Sequence, residues 1–247
     1  MDLFDMQTMV TSTRLSPVQL LCLRAFLLAY ALTALLATIS TGTLFYGYFT
    51  NWTLLGINMY LMAAVFNTAC YIHSQDALAK MNSRPVAVRY INWMLYMVPA
   101  VSCYIVSIVY WSLIFPSSKE KNAFSMWVTA SQHAANSIIM ISELIFGCIP
   151  LAYAHLPTFL LIAFLYLGIT LIFHAKTGIW AYSFLDTSKS GAWMYYLGVG
   201  VFFVIVFFGM TFLHNWRDAR RERLGMAPRV AQFQDRDADN VVPDSTK

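Results

Sequence analysis

One apolar segment, residues 125–149, carries the side chains best suited to chemistry. Its polar and small residues recur at steps of three and four, which places them on one face of a helix. Ionisable groups are costly within a membrane span, so each of them indicates either a function or a buried partner. The structural alternative is that these side chains only make the hydrogen bonds that fix helix packing. The stripe consists of Thr129, His133, Asn136, Ser137, Met140, Glu143 and Gly147.

Two further polar clusters flank other apolar segments. Thr50, Trp52 and Thr53 stand where the second apolar segment begins, and the motif HAKTGIWAYSFLD follows the fifth. Alternating spans bring the start of span two, the start of span four and the end of span five to one level on one side of the membrane. We therefore expect a shared cavity there, although an interfacial aromatic belt and a loop would also account for the fifth-span motif.

The histidine and the glutamate of the stripe cannot form an acid–base dyad with each other. His133 and Glu143 are ten residues apart, which corresponds to about 15 Å along a helix at 1.5 Å per residue. Their partners must come from other helices. We expect the shared cavity to bind its substrate through Asn136, Glu143, His174, Trp180 and Tyr182.

The elements that position these residues follow from composition. The chain has 247 residues, of which 59% are hydrophobic and only 11% charged, and its mean hydropathy is +0.58. A water-soluble domain could not hide so much apolar surface, so the composition excludes a soluble enzyme and a nucleic-acid-binding domain. The sequence predicts an all-α polytopic membrane helix bundle with about six transmembrane helices. The spans are expected at residues 18–38, 53–72, 91–115, 125–149, 157–174 and 192–214.

Charge predicts the orientation of this bundle. With six spans both termini share one side, and that side holds twelve of the 16 Lys and Arg residues. By the positive-inside rule both termini lie on the cytosolic or matrix side. We divide the chain into a bundle, 1–216, and a polar tail, 217–247, whose arginines continue the last helix into the headgroup layer. Arg24 is expected to snorkel within span one.

Composition and histidine spacing also predict the partners and cofactors of the chain. Membrane lipids are the expected surroundings, nucleic acid is not expected, and a protein partner is expected to order the tail, which alone should be disordered. The predicted topology divides the five histidines between the two sides, and no two are spaced as ligands on one helix. We therefore expect no metal and no cofactor.

Three blocks of residues resemble a known family. In HAANSIIMISE, Glu143 follows His133 at a ten-residue offset; in TGIWAYSFL, residues 177–185, the likeness is close to position for position; and Trp52 stands at the start of span two. The sequence resembles the androgen-induced multi-span membrane proteins that hydrolyse fatty acid esters of hydroxy fatty acids, and more distantly the rolling stone family. The resemblance implies a threonine-type lipid-ester hydrolase within the membrane, with His133 as the base and no cofactor.

The sequence departs from this family at the expected nucleophile. The family's threonine lies four residues after the tryptophan, and Gly56, which has no hydroxyl, stands there. Thr53 lies about one helical turn earlier and is the substitute that we expect if hydrolysis is retained. The alternative is a catalytically diverged protein that serves as a structural accessory subunit of a larger membrane complex, in a mitochondrion or another organelle.

Overall fold

The described part of the chain folds as an all-α bundle of six long helices. A computed structural model describes residues 4–42, 45–115 and 122–230. Within these residues the backbone is helix, turn and loop, with a single isolated β-bridge. The long helices are α1, Pro17–Ser40; α2, Phe49–His73; α3, Val86–Val109 with a π-helical turn, Tyr110–Ile114; α4, Ala123–Ala130, a π-helical turn, Ser131–Ala135, and Asn136–Phe146; α5, Leu156–Thr177; and α6, Ala192–Arg223.

Local chemistry sets the ends of several helices. Ser16 caps α1: its hydroxyl accepts from the backbone N–H of Gln19, whose side chain accepts from the N–H of Ser16 in return. Pro17 follows at the first helical position, where its missing N–H costs nothing. Helix α5 ends at Gly178, whose φ of 70° lies in the left-handed region that glycine tolerates.

Each of the six predicted spans corresponds to a helix. Five helical stretches are long and apolar enough to cross a membrane: Pro17–Ser40, Phe49–His73, Val86–Ile114, Tyr153–Thr177 and Ala192–Arg223. The predicted fourth span, which became α4, is not among them, because the polar stripe lowers its hydropathy. Its contacts still run the depth of the bundle. Gln132 donates a hydrogen bond to Thr38 at the end of α1, while Glu143 forms an ion pair with Arg24 near the beginning of α1.

The two ends of the described chain lie at the same face of the bundle. The N–H of Arg229 donates to the carbonyl of Ser12 at 2.7 Å. A shared face agrees with an even number of membrane crossings. That this face is the cytosolic or matrix side stays a prediction. Residues 231–247, which contain most of the predicted polar tail, lie outside the described residues, as do Lys119 and Lys121 of the charge count.

The expectation that the arginines of the tail reach the headgroups is wrong for two of them. Arg217 and Arg221 are each only 8% exposed. Arg217 donates to the carbonyls of Leu144 and Ile149, and Arg221 donates to those of Ile145 and Gly147. They are buried because the end of α4 presents carbonyls that have no helical partner. Arg220 and Arg223 are exposed, as expected.

Candidate functional site

Two adjoining cavities lie at the level where the three polar clusters meet. The first, about 170 Å³, is lined almost entirely by apolar side chains of α3, α5 and α6; the second, about 590 Å³, is lined by polar residues of α2 and α4 among others. No Asp, Glu, Lys or Arg of the described chain lines either cavity. The wall common to both is formed by Thr50, Tyr110, Ile114, His133, Tyr182 and Phe184.

His133 is held firmly in this common wall. Its ring stacks on Tyr110 with centroids 3.6 Å apart and an angle of 10° between the planes. It lies in the π-helical turn of α4, and its carbonyl accepts from the hydroxyl of Ser107 and from Trp111 Nε1, the latter at 3.1 Å. Its Nδ1 is buried without a hydrogen-bond partner in the described chain. A fixed imidazole with an unpaired nitrogen is suited to proton transfer.

Polar contacts join three helices beside the second cavity. The amide of Gln132 donates to Thr38 Oγ1 at 3.0 Å and to Asn51 Oδ1 at 3.1 Å. The predicted convergence of the span-two and span-four starts is thereby confirmed. Asn136, predicted to bind substrate, lies behind this layer: it lines neither cavity and donates to the carbonyl of Gln132, one turn earlier in its own helix.

The HAKTGIWAYSFLD motif forms the outer wall of the site. After the left-handed Gly178 the chain turns back, and Trp180 stacks on His174 with ring centroids 3.7 Å apart. This stacking orients the loop so that Tyr182 reaches the common wall, where its hydroxyl accepts from the N–H of Phe49 at 3.1 Å. Desolvation raises the pKa of Tyr182 above its ordinary value, so the phenol stays protonated. His174 and Trp180 line neither cavity and position the loop.

The candidate nucleophiles on α2 have different surroundings. Thr53 is 3% exposed, its hydroxyl has no hydrogen-bond partner in the described chain, and it lines neither cavity. Gly56 also lines neither, and a Cβ added there would meet nothing within 4 Å. Thr50, one turn before Thr53, lines both cavities together with His133. The structure therefore brings His133 and Tyr182 together with a threonine, but with Thr50 rather than Thr53.

Glu143 lies at the opposite end of α4, in the interior of the bundle. Its carboxylate accepts from Arg24 Nε and Nη2, each at 2.9 Å, and the pair's side chains are 1% and 0% exposed. Arg24 also donates to Thr68 Oγ1 and to the carbonyl of Met9. The expectation that Arg24 snorkels is wrong, because a carboxylate and a carbonyl at its own depth satisfy the guanidinium. Glu143 lines neither cavity.

Family comparison agrees with the likeness seen in the sequence. The model of the FAR-17a/AIG1-like protein family matches residues 13–215. The chain belongs to this family. No curated protein and no solved structure matches it. For this FAR-17a/AIG1-like chain, membership establishes a multi-pass membrane protein. The chemistry depends on the residues that line the two cavities.

Several parts of the site gave little signal in the sequence of this FAR-17a/AIG1-like chain. Thr50 belongs to the polar cluster at the start of span two, but the sequence favours Thr53 over it as the nucleophile, and Tyr110 has no periodic relation to His133. The two π-helical turns add a residue that hydropathy cannot register. Within the described chain, no group of three His, Cys, Asp or Glu side chains could hold a metal ion.

Proposed function

We propose that this FAR-17a/AIG1-like chain hydrolyses uncharged lipid esters at the wall between its two cavities. One observation carries the proposal: His133 and a threonine hydroxyl border an apolar and a polar cavity at the same time. An acyl chain in the apolar cavity and the polar remainder of the ester in the other would place the scissile carbonyl at this wall. The lack of charged lining residues favours a neutral substrate.

The reaction is a two-step acyl transfer. The threonine oxygen attacks the ester carbonyl carbon while His133 accepts the hydroxyl proton, and the alkoxide leaves with the proton that His133 returns. Water then attacks the acyl-threonine bond with His133 again as base, releasing the fatty acid and regenerating the hydroxyl. Thr50 is the better placed nucleophile, and Thr53, expected from the sequence, would need α2 to move. Tyr182 is positioned to donate a hydrogen bond to the substrate.

The test compares the parent chain with single variants of it in the hydrolysis of a fluorogenic long-chain ester. All are assayed as full chains in detergent micelles. We expect His133→Ala to lower kcat by roughly 10²-fold or more, because the general base is lost. Thr50→Ala should abolish turnover and Thr53→Ala should leave it nearly unchanged. His73→Ala is the matched control, since His73 is exposed at the far end of α2. Parent-level rates in both His133→Ala and Thr50→Ala would refute the proposal.

A second candidate function is a non-catalytic accessory subunit of a larger membrane complex. Gly56 favours this function. It occupies the position where the family's threonine is expected, and a side chain would fit there without a clash, so packing does not explain why the hydroxyl is missing. Under this function the parent chain has no esterase activity and is recovered from mild detergent with stoichiometric protein partners. Hydrolysis by the purified chain alone would rule it out as the sole function.

A further inference from the structure

The apolar cavity reaches the surface of the protein between α5 and α6. Phe164 on α5 lines the cavity and is 67% exposed, and Gly200 on α6 lines it and is also exposed. A residue that is both lining and exposed marks a place where the cavity opens. We call this opening, between Phe164 and Gly200, the lateral portal.

Helix α5 leaves room for such an opening. Only 11% of its most apolar 18-residue stretch is buried, compared with 50% in the stretch Val86–Ile114. It packs on α6 through Phe159, which stacks on Phe207, and Tyr166 donates to the carbonyl of Gly47 at 2.9 Å in the loop before α2. Between these contacts it presents large apolar side chains outward. The exposed ones near the portal are Leu161, Phe164 and Leu165 on α5, and Leu197 and Val201 on α6.

The portal lies well away from the ends of both helices that border it. Gly200 is eight residues from the start of α6, or about 12 Å along the helix, and Phe164 is thirteen residues from the end of α5, or about 20 Å. Both helices are among those long and apolar enough to span a membrane. Whatever enters here comes from the acyl region of the bilayer.

We propose that the lateral portal admits the acyl chain of a neutral membrane lipid and that the missing side chain at Gly200 keeps the portal open. Gly200 contributes no side chain, and a Cβ placed there would meet nothing within 4 Å, so the missing side chain leaves open space at the mouth. The acyl chain passes Gly200 into the apolar cavity, with its carbonyl end toward Thr50 and His133. This assignment of the acyl subsite rests on the proposed function for its substrate class.

The experiment is photolabelling of the full chain in phosphatidylcholine vesicles. The probe is a neutral long-chain alcohol ester of a diazirine-bearing fatty acid, and labelled peptides are mapped by mass spectrometry. In the parent we expect label on cavity-lining residues of α3, α5 and α6. Gly200→Leu should reduce that label roughly tenfold, the change expected when a few methylene groups lose their binding site.

Gly198→Leu is the matched control. Gly198 is also exposed on α6 with open space around it, but it lines neither cavity. It should therefore keep parent-level labelling. Equal labelling of the Gly200→Leu and Gly198→Leu variants overturns the proposal, as does parent label confined to outward-facing side chains. Should Gly200→Leu fail to fold, as judged by gel filtration and circular dichroism, the parent's label map decides alone.

The readout separates this inference from the proposed hydrolysis. Cavity labelling that is sensitive to Gly200 in a parent without esterase activity supports the portal and refutes the hydrolase. Loss of ester hydrolysis in His133→Ala, together with unchanged labelling in Gly200→Leu, supports the hydrolase and refutes the portal.

Discussion

Glu143→Gln should cost this bundle much of its stability. The substitution keeps the shape of the side chain but removes the charge that faces Arg24, whose guanidinium is fully buried. Removing one partner of a buried ion pair typically costs about 3–5 kcal/mol, because the remaining charge has neither water nor a counter-ion. Thr68 and the carbonyl of Met9 still accept from Arg24, and they place the expected loss toward the lower end of this range.

A double-mutant cycle separates the pair from its surroundings. Replacing both side chains, in Arg24→Met with Glu143→Leu, removes the desolvated charges together and should recover a large part of the loss. Recovery should fall short of complete, because the buried carbonyl of Met9 loses its donor, which costs about 1–3 kcal/mol.

The assay is reversible unfolding in mixed micelles, followed by circular dichroism against the mole fraction of a denaturing detergent. Asp218→Asn is the matched control, since the Arg217–Asp218 pair also joins an arginine to a carboxylate but the Asp218 side chain is 36% exposed. The control should cost clearly less than Glu143→Gln, because the Asp218 carboxylate is partly solvated and the buried Arg217 keeps the carbonyls of Leu144 and Ile149 as acceptors. If Glu143→Gln costs no more than Asp218→Asn, a stabilising role for the buried pair is refuted.

Three further perturbations have definite expected outcomes. Tyr96→Phe removes the hydroxyl that lies 2.7 Å from His214 Nε2, and leaving that buried nitrogen unpaired should cost about 1–3 kcal/mol of unfolding free energy in the same assay. Gly178→Ala forces a Cβ into a left-handed conformation at φ 70° and should cost about 1–2 kcal/mol. Ser188→Ala removes the hydroxyl hydrogen bond that contributes most to lowering the pKa of Asp186 and keeps the one from the backbone N–H of residue 188, so carbonyl NMR titration should find that pKa raised.

The glycine substitution and the Asp186 titration each have a contrary result that would refute the reasoning. Gly168→Ala lies inside α5, where open space surrounds the position, and it should stabilise the helix by about 0.5–1 kcal/mol. A loss equal to that of Gly178→Ala would contradict the conformational argument. Because the folded-state pKa of Asp186 is lowered, its contribution to the turn is present above its ordinary pKa and is lost as pH falls through the lowered value. If the NMR signals of the turn around Asp186 did not change as the pH falls, this expected direction would be contradicted.

The helices were predictable because a membrane leaves the backbone little choice. A chain with so few charges must satisfy its hydrogen bonds within each span, so the apolar runs, with the helical spacing of the polar stripe in the fourth, located all six segments to within a few residues at most ends. The exception is α6, which continues to Arg223 rather than stopping near residue 214. Its arginines stay helical because they bind the carbonyls at the end of α4, a contact that no local pattern contains.

The site was predictable in outline and not in its pairings. Alternation of spans brings His133 to the level of the span-two start, as the hydrogen bond of the neighbouring Gln132 to Asn51 shows. Tyr182 of the fifth-span motif lines both cavities, and its role in binding substrate stays a prediction. The partner of Glu143 lies 119 residues away in sequence, and one sequence carries no record of which distant residues touch. The choice between Thr50 and Thr53 depends on the rotation of α2 about its axis, which its nearly uniform hydrophobicity does not fix.

The widened turn at Ser131–Ala135 links the two ends of α4 in a way that reaches beyond the site. Each residue advances a regular helix by about 100°, and a π-helical turn takes in one more residue than a regular turn. Deleting a single residue here would therefore regularise the backbone and leave Glu143 facing Arg24. A deletion elsewhere in α4 would rotate Glu143 away from Arg24 by roughly 100°, so this turn is the place in α4 where a change of sequence length is tolerated.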